Sequence, residues 1–451
     1  MIENAQAQPP RRRLRRFLRW ALFVVGAVLL LVGGGLAFWL RGALYHRLVQ
    51  FPAEATAWAA IRADRQPVTE VSGWNEFRGI IHSHSELSHD CEVPFPEILR
   101  VMQETGRDFI CLSDHCDKGV ADFSVQWRGI HEGKLFIPGF EMKEGIMPFG
   151  VSAGTVLRNE DPTRQLISEI VAHGGIFFFA HPEEDRDWAC LEATGMEIYN
   201  IHADFKDTGD GFSALLPDLL VNYRRYPDHM MRLIFDRPIQ NLRRWDECNR
   251  TRHFTGIAGN DCHQNAGLRG FYTDLGTLRI EDTSPETLRE IPLNAVTRFL
   301  ARLCFGRLQP GKMLFHFQLD PYERMTRFVT THVLARRLDE ASILDALKAG
   351  RAFVGFDLVA DSSGFLWWAE GKTGRAVMGE AFWFSPEVTL RAASPHLCRF
   401  TVVKDGTVVH QEEGRTVEWK PSGPGKYRVE AELWIRGEWT PWVYANPIEL
   451  I

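Results

Sequence analysis

The longest uninterrupted feature of the chain is an apolar run from Trp20 to Leu40, 21 positions without a charge. At 1.5 Å of rise per residue, a helix over this run crosses a hydrocarbon layer of about 30 Å. Six arginines lie between Arg11 and Arg19, and only Arg41 and Arg47 follow closely. The positive-inside rule then places the N-terminus in the cytoplasm and everything after Leu40 on the far side of the membrane. The expected organisation is a basic cytoplasmic segment (1–19), an uncleaved signal anchor (20–40) and a juxtamembrane connector (41–74). The connector carries a short amphipathic stretch around Ala55–Ile61.

From Gly79 the pattern changes to short β-rich apolar runs alternating with helical periodicity, as in an α/β barrel or doubly wound sheet. The runs predict strands at Gly79–His82, Phe109–Ser113, Leu135–Phe140, Ile176–Ala180, Glu197–Ile201 and Thr255–Gly259. Helices are predicted at Pro96–Thr105, Thr163–His173 and Leu215–Arg225, and Gly174-Gly175 is a natural helix stop. The stretch from Pro285 to Gly350 reads as mostly helical. After Gly350 short alternating runs separated by turn residues predict a β-sandwich over 351–451, with a hairpin at Lys404-Asp405-Gly406-Thr407. The α/β body is thus expected over 75–350.

Composition narrows the function. A net charge of −6 and a pI near 6.3 give no basic face for nucleic acid, so none is expected as a partner. Eight cysteines form no CxxC pair, which argues against a zinc ribbon or a thioredoxin-like pair; most are expected to be free and buried. Oligomeric state is not legible.

The informative feature is where histidines and acids fall. His82-Ser83-His84 follows the first predicted strand, Asp114-His115 the second, Glu141 the third and His181 the fourth. Glu197 to His202 marks the fifth, and Asp261 and His263 follow the sixth. Each group alone has an ordinary structural explanation. Together they put a ligand-type side chain at the same end of six strands, where the carboxyl ends of a barrel form one rim. Imidazole and carboxylate together suit Zn²⁺, Mn²⁺ or Fe²⁺ better than Ca²⁺ or Mg²⁺. Shared carboxylates allow metals about 3.5–4 Å apart, the arrangement used for displacement at phosphorus. Asp114 is expected to serve catalysis by orienting an imidazole through its second nitrogen. Cys262 reads as packing. Arg269, in an expected loop Gly267–Gly270, is a candidate for holding an anionic substrate.

The ordered set His82-x-His84, Ser88-His89-Asp90, Ser113-Asp114-His115, Gly139-Phe140-Glu141, Ala180-His181-Pro182 and Asn260-Asp261-Cys262-His263 resembles the signature of PHP (polymerase and histidinol phosphatase) domain proteins over about residues 75–270. Ala349–Phe356 and Pro441–Ile448 resemble the carbaryl-hydrolase-like branch, which carries a C-terminal β-rich extension. The resemblance implies a distorted (β/α)7 TIM-like barrel with two or three divalent transition metal ions in a cleft. It implies that His82 and His84 hold one metal with Asp261 and that Glu141 bridges two. His115 and His263 would serve another with Asp90 or His89, and His181 the remaining ion with His202. The fifth-strand ligand stays open among Glu197, Asn200 and His202, with His202 favoured for its softer nitrogen.

The expected activity is phosphoester hydrolysis, a metal-bridging hydroxide attacking a small-molecule or lipid-derived phosphoester. One alternative is a carbamate or carboxylic ester hydrolase on the same metals. The other is a non-catalytic surface module stabilised by metal, with Trp367, Trp368 and Trp442 among the aromatics of a binding face.

Overall fold

The computed structural model describes residues 10–69, 73–116, 119–207, 211–283 and 287–451. The chain divides into two units: Met1–Thr56 with Thr208–Ile234, and Ala57–Asp207 with Phe235–Ile451.

The smaller unit is helical. Pro10–Tyr45 is one continuous α-helix, followed by a π-turn at His46–Gln50 and a helix over Phe51–Ala63 that runs into the larger unit. It is long and apolar enough to cross a membrane, and its apolar side chains, Phe17, Leu22 and Phe23 among them, are exposed. The helix Gly211–Asn222 packs on it through polar contacts: Asn222 Nδ2 donates to the Ala43 carbonyl at 2.9 Å, and His46 Nδ1 lies 2.9 Å from Asp218 Oδ1.

The larger unit is mixed α/β. Parallel strands β1 (Asn75–Ile81), β2 (Phe109–Cys111) and β3 (Lys134–Ile137) pair in that order, Gly79 opposite Phe109 and Phe109 opposite Leu135. In a second sheet β4 (Ile146–Phe149) runs antiparallel to β5 (Ile176–Phe179). Strands β6 (Gly195–Asn200) and β7 (Thr255–Gly259) continue that sheet parallel to β5. Two bridges link the sheets, Gly139 with Phe149 and Ser83 with Cys262. The six parallel strands therefore point the same way, with β4 reversed between β3 and β5. Their inward side chains, including Ile81, Phe109, Leu135, Phe149, Phe178 and Ile257, form one dry core beneath the strand ends. Each such side chain stabilises the fold by roughly 1.5–3 kcal/mol.

Strand Thr330–Ala335 extends the first sheet on the other side of β1, and Ala352–Gly355 pairs both with it and with Glu438–Ala445. The long strands of the C-terminal third are thus continuous with the first sheet. The hairpin at Lys404–Thr407 forms as expected, with Asp405 and Gly406 both at positive φ.

Two expectations fail between Gly267 and Gly350. Arg269 sits in a strand, Gly267–Tyr272, and not in a loop. It heads an antiparallel sheet with Thr277–Asp282, Thr287–Pro292 and Met313–Gln318. From Pro285 to Gly350 the helices Ala295–Phe305, Tyr322–Phe328 and Glu340–Ala349 alternate with strands Thr287–Pro292, Met313–Gln318 and Thr330–Ala335, so the stretch is mixed and not mostly helical. Leu278 and Ile280 alternate with polar neighbours at period two, the strand signature, but the segments are short and mostly half-buried or exposed, so the apolar contrast is weak.

Candidate metal centre

Every parallel strand ends just before a polar side chain that turns into one shared mouth. His82, His181 and Asp261 do so in left-handed backbone, with φ of 63°, 48° and 47°. That conformation costs a non-glycine residue on the order of 1 kcal/mol, so three of these positions hold local strain. His82 and His84 converge by this kink and not by strand alternation, because β1 stops at Ile81.

The groups meet at short range. His82 Nε2 lies 3.2 Å from Asp261 Oδ1 and 3.3 Å from Glu141 Oε2. His84 Nε2 lies 3.4 Å from the same Asp261 oxygen. Glu141 also faces His115 Nδ1 at 3.5 Å and, through its other oxygen, His181 Nε2 at 3.3 Å. Asp90 Oδ2 stands 3.2 Å from His263 Nε2 and 3.5 Å from His115 Nε2. His202 Nδ1 is 3.9 Å from Asp261 Oδ2. All nine residues expected as ligands are thus brought together. Four overlapping groups have ligand atoms close enough to share a cation: His84-Asp90-His115-His263, His82-His84-Glu141, His82-His181-Asp261 and His202-Asp261-His263.

The ambiguous positions separate by what their side chains touch. Asp90 belongs to such a group, whereas the His89 ring packs 5.1 Å from that of His115. Glu197 is fully buried and accepts from His82 Nδ1 at 2.5 Å, from the His181 amide at 2.9 Å and from Asn200 Nδ2 at 3.0 Å. Asn200 also reaches Asp261. Both are therefore spent on holding ligands in place, leaving His202 facing Asp261 and His263.

Asp114 departs from its expected role. It touches no imidazole. Its carboxylate accepts from the Ser85 amide, the Ser85 and Ser88 hydroxyls and Gln126 Nε2. Burial raises its pKa against these four hydrogen bonds. Ser88 Oγ in turn contacts His84 Nδ1 at 3.0 Å and accepts from the His115 amide at 2.8 Å. With the Ser88 proton on Asp114 (3.3 Å), His84 Nδ1 carries a hydrogen and its Nε2 presents a lone pair. Ser85 and Gln126 were not singled out from sequence, Ser88 was named only as part of Ser88-His89-Asp90 without a role, and Gln126 carries no signal that could have marked it. Arg269 lies at the edge, between Glu92 (3.4 Å) and Glu281 (3.3 Å), already paired with acids.

The fit to a cation can be tested on atoms. His82 Nε2, His84 Nε2, Asp261 Oδ1 and Asp90 Oδ1 are buried and have no hydrogen-bond partner. Unpaired buried polar atoms are costly, and here nitrogen lone pairs face carboxylate lone pairs. Only a positive charge between them relieves that. Protonation reports the same need. Burial opposes charge on His82, yet Asp261, Glu197 and Glu141 raise its pKa well above the usual imidazole range. Burial likewise opposes charge on His181, but Glu141 and Glu183 lift it to about 11. His84 is pushed down by burial and by His263. Despite burial, Glu141 and Asp261 are held well below the carboxylate range, chiefly by His82. The residues fit divalent cations.

No protein-family model matches the chain, and no curated protein matches it. Among solved structures the chain is similar to a two-domain protein from Bacteroides vulgatus, described as containing a predicted PHP-like metal-dependent phosphoesterase. The identity is 13% and the TM-score 0.37, over 86% of this chain and 98% of that one. So loose a likeness assigns no activity. Beside the mouth, a cavity of about 290 Å³ is lined by Glu183, Asn200, Asp204, Asp236 and Arg237 among others; Glu183 and Asn200 connect it to His181 and Asp261.

Proposed function

We propose that the chain is a metal-dependent phosphoesterase of the PHP type, its six parallel strands closing a distorted barrel, anchored by its N-terminal helix with the catalytic unit outside the cytoplasm. One observation carries the reading: imidazoles and carboxylates from six separate strand ends converge with their lone pairs aimed at one another. His82, His84, Glu141 and Asp261 would hold one ion. His115, His263 and Asp90 would hold a second, and His181 with Asp261 a third, His202 standing by Asp261 and His263. Bound divalent cations would polarise a phosphoryl oxygen and make water nucleophilic near neutral pH.

The protein's own part is positioning. Glu197 fixes the His82 ring, and Asp114 through Ser88 fixes the tautomer of His84. The apolar layer under the mouth keeps water from the back of the site. His181 pairs through Nδ1 with Glu183, which lines the neighbouring cavity. Arg269 would meet an anionic group only after exchanging its bonds to Glu92 and Glu281.

The test is metal analysis and turnover on one preparation. Purified protein should contain two or three divalent transition metal ions per chain and hydrolyse members of a phosphomonoester and phosphodiester panel. Chelation should abolish turnover, and Zn²⁺ or Mn²⁺ should restore it. Metal-dependent turnover confined to carbamate or carboxylic esters would transfer the same site to carbonyl chemistry. Phosphoester turnover that survives His82→Ala with His84→Ala would end the proposal.

A further inference from the structure

The sheet that follows His263 carries a helix, Ala295–Phe305, whose polarity is inverted. Val296, Phe299, Leu300 and Leu303 recur at i, i+3, i+4 and i+7, the spacing of a core-facing stripe. Here the stripe faces water: Phe299 is 66% exposed and Leu303 73%, and no residue of the helix is buried. Leu275, at the neighbouring turn, is 84% exposed.

The helix is nonetheless well made. Asn294 caps its first turn by accepting from the Thr297 amide at 2.9 Å, and Lys312 Nζ donates to the carbonyls of Phe305 and Arg307 at its end. Its touch on the sheet is slight: the Phe305 ring lies 6.1 Å from that of Phe315, and only Arg298 and Ala301 are partly buried. A capped helix that leaves its apolar stripe in water has a surface suited to an apolar medium.

Charge selects the medium. From Asn294 to Leu319 the chain carries Arg298, Arg302, Arg307 and Lys312 and no acid, although its net charge is −6. Apolar side chains flanked by arginine and lysine are the composition of helices that lie in the plane of an anionic bilayer.

We infer that Ala295–Phe305 is a second membrane contact, with its apolar stripe among acyl chains and its basic flank on the phosphates of anionic lipids. The inference rests on the anchored reading, since the anchor holds the unit near a bilayer. Arg269, in the first strand of this sheet, touches Glu92, two residues beyond Asp90. The docked sheet would therefore hold the metal mouth at the headgroup layer and favour phosphoesters presented by lipids.

Cys304 lies on this helix and is exposed, whereas the other cysteines are buried or partly so. A polarity-sensitive fluorophore on Cys304 of the full chain, reconstituted in phosphatidylcholine vesicles with and without phosphatidylglycerol, reads the contact directly; Cys304→Ser identifies the background. The expected result is a blue-shifted emission quenched by doxyl-labelled lipid, stronger with phosphatidylglycerol. Both effects should vanish in Phe299→Glu with Leu303→Glu, while thermal unfolding and turnover of a soluble phosphoester stay unchanged. Emission as red as in water, with no lipid quenching, overturns the inference. So does a blue shift that resists lipid quenching and fades on dilution, which would mark a contact between two copies. Loss of all soluble turnover in the unsubstituted protein would instead refute the catalytic proposal and leave the fluorescence readout standing.

Discussion

Glu197 offers the sharpest test of how the centre is built. It is buried and accepts from His82 Nδ1 (2.5 Å) and from the His181 amide (2.9 Å), so it orients two of the residues assigned to metal. Glu197→Gln keeps the shape and an acceptor oxygen but removes the charge. Loss of such a supporting carboxylate typically weakens metal binding 10–100-fold, or about 1.4–2.7 kcal/mol. Glu197→Ala also strands three donors, on His82, His181 and Asn200, at about 1–3 kcal/mol each, and should lower folding stability by roughly 3–9 kcal/mol. A third variant reaches the same carboxylate from another strand. A β-carbon at Gly259 would fall on Glu197 Oε1, so Gly259→Ala should displace it and weaken binding without changing a charge. Competition between the protein and a chelating indicator gives the affinity, and urea unfolding of the metal-free protein gives the stability. If Glu197→Gln and Gly259→Ala both bind metal within about twofold of the parent, Glu197 does not position His82 and the account of the site is wrong.

Other consequences are measurable. Metal loading should release protons, because Asp261, Glu197 and Glu141 keep His82 protonated without metal and Glu141 and Glu183 do the same for His181; titration calorimetry in buffers of different ionisation enthalpy counts them, and zero release contradicts the assignment. Ser88→Ala should free the His84 tautomer and lower metal affinity on the order of tenfold, whereas an unchanged affinity would leave Asp114 without a function at the site. A distant buried cluster sets a pH limit on folding: His332 lies between Glu76 (2.7 Å) and Asp357 (3.2 Å). Burial opposes its charge, but these acids raise its pKa from 6.5 to about 9. A raised folded-state pKa stabilises fully below the unfolded value and fades as pH climbs through about 9, so roughly 3 kcal/mol should be lost between pH 6 and pH 10. Denaturant midpoints across that range should fall in the parent and stay flatter in His332→Gln.

How much was legible from sequence follows a physical line. Apolar runs that bury both faces announce themselves, so β2, β5, β6 and β7 were found within two residues of their true limits, whereas β1 was recognised only from Gly79, its first four residues being exposed or half-buried. The histidines and acids that meet at the mouth were legible because strand ends in one parallel set must share an edge. The uncharged run Trp20–Leu40 likewise needed no tertiary context to be recognised as long enough to cross a membrane. Hydrogen-bond partners are another matter. That Asp114 acts through Ser88, that Gln126 completes its bonds and that Glu197 holds His82 depend on distances between segments far apart in the chain. The strands between Gly267 and Gln318 escaped because their side chains are half-buried or exposed, and a strand that buries little leaves a faint alternation. The spacing of Val296, Phe299, Leu300 and Leu303 was in the sequence from the start. Only the fold shows that this stripe faces outward, because periodicity records that a helix has an apolar face and never where that face points.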